Sequence, residues 1–183
     1  MTCYPLIRLL GTAFRARVDG AERLPETGGF VLAANHLSGF DAFAIAQALG
    51  SRPVRTMAKD ELFARPVLGP VVRAFGAFPA HAGGTALASE LAADGAVVVI
   101  FPEGMRRRSR TLRPRAGAAR TALAAGVPLV PVAVCGTDGW RRLRRWRVAV
   151  GDPIALDDID GDAREATRRM WSSIVALEAG GRS

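Results

Sequence analysis

The chain has few of the residues that define several common protein classes. It contains only two cysteines, Cys3 and Cys135, too few for a disulfide framework or a cysteine-based metal site. The longest stretch without a charged residue, 121–137, is interrupted by glycine and proline, so no segment is predicted to cross a bilayer. Residues 1–20 lack an apolar core followed by a small-residue cleavage site, so no signal peptide is predicted. We therefore expect a soluble or membrane-surface protein of the cytoplasm.

Lysine, histidine and asparagine are also scarce, whereas arginine is abundant. Lys59 is the only lysine among 25 cationic residues, the two histidines are His36 and His81, and Asn35 is the only asparagine. The formal net charge is +8. Arginine binds phosphate through a planar, bidentate fork, so this excess favours an anionic partner, although a GC-rich genome would produce the same bias.

The pattern that remains is an alternation of short apolar runs with helical segments. At 183 residues the chain has the length of one domain. Short β-branched runs bounded by glycine or proline predict buried strands, and Asp162 with Glu165 has capping-box spacing before the last helix. We predict a single α/β domain over 1–183, with a mostly parallel central sheet flanked by helices. The predicted strands are 30–34, 54–58, 77–79, 96–100, 129–134 and, at an edge, 147–150; the predicted helices are 41–49, 66–75, 85–93, 116–125 and 162–177.

Two basic segments are candidates for contact with an anionic membrane surface. The 5–14 stretch predicts a short amphipathic helix within 1–17, which suits an interfacial anchor, although an ordinary packed helix has the same pattern. The 140–147 segment flanks arginines with Trp140 and Trp146, which suits a bilayer surface. A nucleic-acid patch, or an edge strand with one tryptophan facing the core, would show the same residues. We expect membrane-surface docking and no nucleic acid.

A histidine and an aspartate lie where the first predicted buried strand ends. His36 follows the strand 30–34, and Asp41 comes five positions later at the start of a helix. Across this corner the carboxylate can reach one imidazole nitrogen, which leaves the other free to accept a proton from a substrate hydroxyl. The same residues also fit a structural turn, in which Asn35 makes the turn, Ser38 caps the helix and Asp41 lies in its first turn.

A second cluster follows the predicted strand 96–100. The block from Phe101 through Pro102 and Glu103 to Gly104 brings a carboxylate and a flexible glycine to the end of a strand. In open α/β sheets, ligands bind beyond the carboxyl ends of the strands. The arginines that follow suit a phosphate or an acidic carrier protein, although a solvated charge run is the common alternative. These arginines are Arg106, Arg107, Arg108, Arg110, Arg113 and Arg115.

Together these motifs resemble the glycerolipid acyltransferases of the lysophosphatidic acid acyltransferase superfamily. The resemblance rests on His36 with Asp41, the His-x4-Asp pattern, and on the Phe-Pro-Glu-Gly block at 101–104 followed by Arg106. It covers core motifs between 18 and 151 and implies a glycerol-phosphate-acyltransferase-like fold. The other matching segments, all in family order, are 59–63, Gly69, 76–78 and 127–132.

The resemblance implies an O-acyltransferase that needs no cofactor and no metal. His36 would be the general base for a hydroxyl of a lysophospholipid such as 1-acylglycerol-3-phosphate, which attacks an acyl thioester of coenzyme A or of acyl carrier protein. Asp41 would orient His36 and stabilise its imidazolium, and the 103–104 turn would offer backbone N–H groups to the oxyanion. The enzyme would act peripherally at the cytoplasmic face of the membrane. The expected substrate-binding residues are Asn35, Ser38, Lys59, Phe101, Pro102, Glu103, Gly104, Arg106 and Arg115.

The chain departs from the family pattern at two positions. Met105 stands where the family usually has threonine, which removes a hydroxyl partner. His81 stands where the family usually has arginine, which removes a bidentate phosphate ligand. The acceptor therefore need not be plain lysophosphatidic acid, unless one of the arginines after Glu103 compensates. His81 also fits a surface loop residue without a binding role.

Two other functions explain less of the sequence. A hydrolase of the nucleophile-elbow type would need a Gly-x-Ser-x-Gly motif, which the chain lacks. A basic nucleic-acid-binding domain would explain the charge, but it gives no reason for the combination of His36, Asp41 and Glu103.

Overall fold

The computed structural model describes residues 16–50, 52–74, 76–80, 83–105, 113–142 and 145–180, with only the backbone described at 140–142. Three sets of predictions concern residues outside this described part: the amphipathic helix of 5–14, the role of His81, and the roles of the arginines at 106–108 and 110.

The described residues contain seven strands that form one sheet in the order β1-β7-β6-β2-β5-β3-β4. Neighbouring strands from β6 to β4 pair in parallel, whereas β7 is antiparallel to β6 and parallel to β1. The predicted α/β domain with a mostly parallel sheet is thereby confirmed. The strands are β1 Ala16–Asp19, β2 Phe30–Ala34, β3 Val54–Ala58, β4 Ala77–Pro79, β5 Val97–Ile100, β6 Leu129–Cys135 and β7 Trp146–Val150.

Helices cover both faces of the sheet, which is why its central strands are apolar at every position. Successive residues of β2 point to opposite faces: Phe30 and Leu32 share a core with α1, while Val31 and Ala33 share one with α4, α5 and α6. Burying one such large side chain contributes roughly 2 kcal/mol. The helices are α1 Asp41–Ala48, α2 Asp60–Phe63, α3 Leu68–Ala74, α4 Gly84–Ala93, α5 Gly117–Ala125 and α6 Ala163–Ala179.

The helix predicted over 66–75 begins two residues later in the structure, at Leu68, and is preceded by the unpredicted α2. Pro70 gives the physical reason. In a helix that began at Pro66, the residue at 70 would have to donate its N–H to the first turn, and proline has none. Because α3 begins at Leu68, Pro70 lies in the first turn, where that N–H is not needed.

The amino-terminal side of the sheet also differs from the prediction. Ala16 and Arg17 were assigned to the amphipathic helix of 1–17, but they belong to β1, which pairs with β7. Because β1 covers it, β7 is an internal strand and not the predicted edge. The last helix is capped as expected by Asp162, which accepts from the Arg164 N–H at 2.8 Å.

The parallel pairing brings the carboxyl ends of β6, β2, β5, β3 and β4 to one edge of the sheet. The segments that leave these ends contain Thr137, His36, Glu103 and Lys59. The register between β2 and β5 places Ala33 opposite Ile100. If that register continues for three more residues, His36 lies opposite Glu103.

Candidate active site

His36 and Asp41 form a close pair at this edge. The imidazole Nδ1 lies 2.7 Å from Asp41 Oδ2. The Asp41 side chain is fully buried, whereas the His36 side chain is 21% exposed. Because an ionised carboxylate only accepts, the proton of neutral His36 lies on Nδ1, and Nε2 is the nitrogen that can accept a proton from a ligand.

The Asp41 carboxylate has further hydrogen-bond donors. The backbone N–H groups of Leu37 and Ser38 donate to Oδ2 at 2.7 and 2.9 Å. The Thr137 hydroxyl donates to Oδ1. A buried carboxylate is tolerated only when such donors replace its water shell. The Asp41 carboxylate thus both stabilises the turn before α1 and bonds to the His36 imidazole.

The contacts of Asn35 and Ser38 differ from those expected for a simple turn and helix cap. The Asn35 amide is buried and bonds to both backbone groups of Val134, donating to the carbonyl at 2.8 Å and accepting from the N–H at 2.6 Å. It therefore ties the end of β2 to β6. The Ser38 hydroxyl accepts from the Phe40 N–H at 3.1 Å, and Phe40 is the residue that precedes α1.

Glu103 and Phe101 approach His36 from the neighbouring strand β5. Glu103 is buried, and its Oε1 accepts from the His36 backbone N–H at 3.3 Å. The Phe101 ring stacks on the imidazole, with 4.2 Å between the centroids and 22° between the planes. The predicted convergence of the two motifs is therefore present, with Phe101 fixing the plane of the imidazole ring.

The turn at Gly104 uses one of the amides that were expected to bind an oxyanion. Gly104 has φ +68, and its N–H donates to the Phe101 carbonyl at 3.0 Å. This N–H is therefore part of the turn. The turn itself positions Arg115, whose guanidinium carbon would lie 3.2 Å from a Cβ built at Gly104. The Arg115 N–H donates to the Pro102 carbonyl at 2.8 Å, which anchors the returning chain beside Glu103.

Cationic side chains lie beside this edge. Arg115 is exposed beside the turn, and Lys59 is exposed at the end of β3. Arg106 lies outside the described residues. In the described part of the chain, no three His, Cys, Asp or Glu side chains are grouped as they would be to hold a metal ion.

The second basic segment is partly built into the sheet. Trp146 is buried, and its ring centroid lies 5.8 Å from that of Phe40. Arg147 bonds to Asp19 at 2.6 Å, and hydrogen bonds from Arg17 and Arg147 lower the pKa of Asp19. Trp146 therefore faces the core, as in the alternative reading of this segment. The side chains of 140–144 lie outside the described residues.

Thr137 is the site residue that sequence reasoning missed. It lies 96 residues from Asp41 and begins a 3-10 helix directly beyond β6. Its position after a buried strand was a signal, but that signal becomes informative only when β6 is known to neighbour β2.

Comparison with known proteins identifies the family. A family model described as Acyltransferase matches residues 15–135. The chain belongs to the acyltransferase family. The resemblance seen in the motifs is thereby confirmed. The matched segment contains His36, Asp41 and Glu103.

Individual relatives agree with this assignment. The chain is similar to the 1-acyl-sn-glycerol-3-phosphate acyltransferase of Bacillus subtilis, with 29% identity over 150 residues that cover 78% of this chain and 75% of that protein. It is 31% identical over 161 residues to the protein of the same name from Salmonella typhimurium, covering 82% and 65% of the two chains. It is also 31% identical over 140 aligned positions to the uncharacterized protein ML2427 of Mycobacterium leprae, but that match covers 68% of this chain and only 37% of that longer protein.

A solved structure has the same fold. The crystal structure of the 1-acyl-sn-glycerophosphate (LPA) acyltransferase PlsC from Thermotoga maritima superimposes with a TM-score of 0.78 over 98% of this chain and 78% of that one. The sequence identity is 20%, so this likeness establishes the fold alone. Within the described residues, no helix is both long enough and apolar enough to span a membrane.

Proposed function

We propose that this acyltransferase moves a fatty acyl group from an acyl thioester to a hydroxyl of a lysophospholipid of the 1-acylglycerol-3-phosphate type. The observation that carries the proposal is the His36–Asp41 pair, with Nδ1 bound to a buried carboxylate and the ring partly exposed at the sheet edge that also holds Glu103. The family assignment and the names of the curated relatives support the acceptor class.

The geometry supports a base-assisted mechanism without a covalent enzyme intermediate. His36 Nε2 takes the proton of the acceptor hydroxyl while its oxygen attacks the thioester carbonyl carbon. The resulting imidazolium is stabilised by the buried Asp41 charge at 2.7 Å. When the tetrahedral intermediate collapses, the carbon–sulfur bond breaks, the new ester remains, and the imidazolium returns its proton to the thiolate. Phe101 keeps the ring plane fixed through both proton transfers.

Cations beside the turn suit an anionic substrate. Arg115 is held against Gly104 and, among the described residues, makes no ion pair with a carboxylate. Arginine offers a planar fork to phosphate, and Lys59 adds a point charge on the same edge. We infer that Arg115 binds the phosphate of the acceptor, while the donor is an acyl thioester of coenzyme A or of acyl carrier protein.

Contact with an anionic membrane surface forms part of the same proposal. Val67 and Val71 are 80% and 41% exposed. The Gly69 N–H donates to the Arg65 carbonyl at 2.8 Å and closes one turn directly before α3. The two valines are four residues apart, the spacing that brings side chains to one face of a helix. Arg65 and Arg73 supply positive charge within the same segment. We propose that this face rests on the cytoplasmic surface of the membrane that supplies the acceptor.

Thiol release tests the proposed reaction. Purified wild-type protein is given an acyl thioester with each member of a lysolipid panel, and the free thiol and the acylated lipid are both measured. The proposal expects thiol release that depends on the acceptor and matches the new ester mole for mole. Release at the same rate without acceptor would indicate thioester hydrolysis and contradict acyl transfer.

A further inference from the structure

Thr137 contacts the buried member of the His36–Asp41 pair. Its side chain is fully buried, and its hydroxyl donates to Asp41 Oδ1. Thr137 arrives from the end of β6, while Glu103 arrives from the end of β5, on the other side of β2. The two neighbouring strands therefore hold the pair between them.

The two oxygens of Asp41 are held by different parts of the chain. Oδ2 accepts from the His36 ring and from two N–H groups of the adjacent turn. Oδ1 accepts from Thr137, a residue 96 positions away. A carboxylate rotates readily about its last side-chain bond, because that torsion has a broad energy minimum. A second anchor on Oδ1 fixes the carboxylate plane, and with it the direction in which Oδ2 faces the imidazole.

The backbone before Thr137 is shaped for this contact. Gly136 has φ +84, and a Cβ at that position would lie 2.6 Å from the Arg145 carbonyl oxygen. The Gly139 N–H donates to the Gly136 carbonyl at 3.1 Å and closes the turn. Because Gly136 has no Cβ, the backbone at this position can lie close to Arg145, directly before β7. The next residue, Thr137, then contacts Asp41.

We propose that Thr137 is a positioning residue of the acyl-transfer site. Its hydroxyl fixes the Asp41 carboxylate and thereby the Nδ1–H tautomer and the orientation of His36. The proposal rests on the proposed function for its kinetic consequence, but its structural part is measurable without any substrate.

The kinetic test compares three threonine variants. Thr137→Val removes the hydroxyl at constant volume and is expected to lower kcat about ten- to a hundredfold, the usual worth of a buried hydrogen bond to a charged group. The KM for both substrates should change by less than about threefold, because the hydroxyl contacts neither substrate. Thr137→Ser retains the hydroxyl and is expected to restore most of kcat. Thr121→Val is the matched control, since Thr121 is equally buried and its hydroxyl has no hydrogen-bond partner in the described structure.

An NMR measurement reads the histidine directly. The chain has two histidines, so ¹⁵N-histidine labelling gives two ring systems, and His36→Gln identifies the signals of His36. The wild type should show a slowly exchanging Nδ1–H proton for His36. Thr137→Val should broaden that signal by faster exchange, while Thr137→Ser and Thr121→Val should leave it sharp.

The outcomes separate the two proposals. A wild type without acceptor-dependent transfer would refute the proposed function, and the NMR result would still decide the role of Thr137. An active wild type with unchanged kcat and an unchanged His36 signal in Thr137→Val would overturn the positioning role. Equal loss in Thr137→Ser and Thr137→Val would also overturn it, because retaining the hydroxyl would then not preserve the rate.

Discussion

Asp41 shows how one buried side chain can serve both the fold and the chemistry. Its carboxylate receives the backbone N–H groups of Leu37 and Ser38, which shape the turn into α1, and the Nδ1 of His36, which sets the orientation of the ring. Removing a buried charge of this kind leaves several donors without an acceptor. A variant that truncates Asp41 would therefore disturb folding and catalysis together, so an isosteric change is the informative one.

Arg115 gives a prediction at the level of a single residue. Arg115→Gln should raise the KM for a phosphate-bearing acceptor by about tenfold or more, because a charge-assisted hydrogen bond to phosphate is lost, while kcat changes little. The measurement is steady-state kinetics with the donor saturating. Arg120→Gln is the matched control, an exposed arginine five residues further along on α5. An equal rise in KM for an acceptor without phosphate, or for the control variant, would contradict the assignment.

The site residues differ in how far the sequence could place them. The contact between His36 and Asp41 is predictable, since both lie at one strand-to-helix corner. Thr137 and Val134 are not, because their contacts with Asp41 and Asn35 depend on β6 lying beside β2. Side-chain hydrogen bonds across strands require the strand order, which residue spacing alone does not contain.

At the scale of elements, α3 and the turn directly before it give a test of membrane contact. Replacing Val67 and Val71 together with glutamate should lower the fraction of protein bound to vesicles containing phosphatidylglycerol by about tenfold or more, because apolar surface is lost and two negative charges are added. Co-sedimentation measures the bound fraction, and thiol release with a soluble short-chain acceptor should be unchanged. Val175→Glu is the control, since Val175 is 45% exposed on α6. Vesicle binding that is equal in the double variant and the control would rule out this face.

The start of α6 gives a prediction about pH. Hydrogen bonds from Arg168 and Arg169 lower the pKa of Glu165 from 4.5 to about 2. Because the pKa is lower in the folded chain, the stabilising contribution is complete above pH about 4.5 and is lost as the pH falls through about 2. Glu165→Gln should therefore lower Tm at pH 7, and the difference from the wild type should close towards pH 2. The exposed Glu26→Gln is the control; a difference that stays constant with pH would contradict this role.

Element boundaries were predicted well where the local sequence decides them. Strands β2, β3 and β4 span the expected residues, because each begins directly after a glycine or a proline, which are Gly29, Pro53 and Gly76. Strand β1 was not predicted, because its four residues at the sheet edge are too few to show a strand periodicity distinct from the basic stretch before them. The Glu165 side chain, expected to complete a capping box, binds Arg168 and Arg169 because two charged partners outweigh one backbone N–H.

At the scale of the whole molecule, the order and direction of the strands in the sheet bring the site residues together. Five parallel strands end at one edge, so segments from distant parts of the chain meet there. The alternation of strands and helices predicts this class of fold. The alternation does not predict that β7 pairs antiparallel with β6 or that β1 pairs with β7. The second pairing joins strands from opposite ends of the chain, so the local sequence of neither strand indicates it.

The most direct test of the account is the single-turnover rate of acceptor-dependent thiol release in His36→Ala, Asp41→Asn and the double variant. We expect each single change to slow the reaction on the order of a hundredfold or more, with circular dichroism unchanged. The double variant should be about as slow as His36→Ala alone, because Asp41 acts through the imidazole. A His36→Ala enzyme that retains nearly the wild-type rate would show that His36 is not the general base.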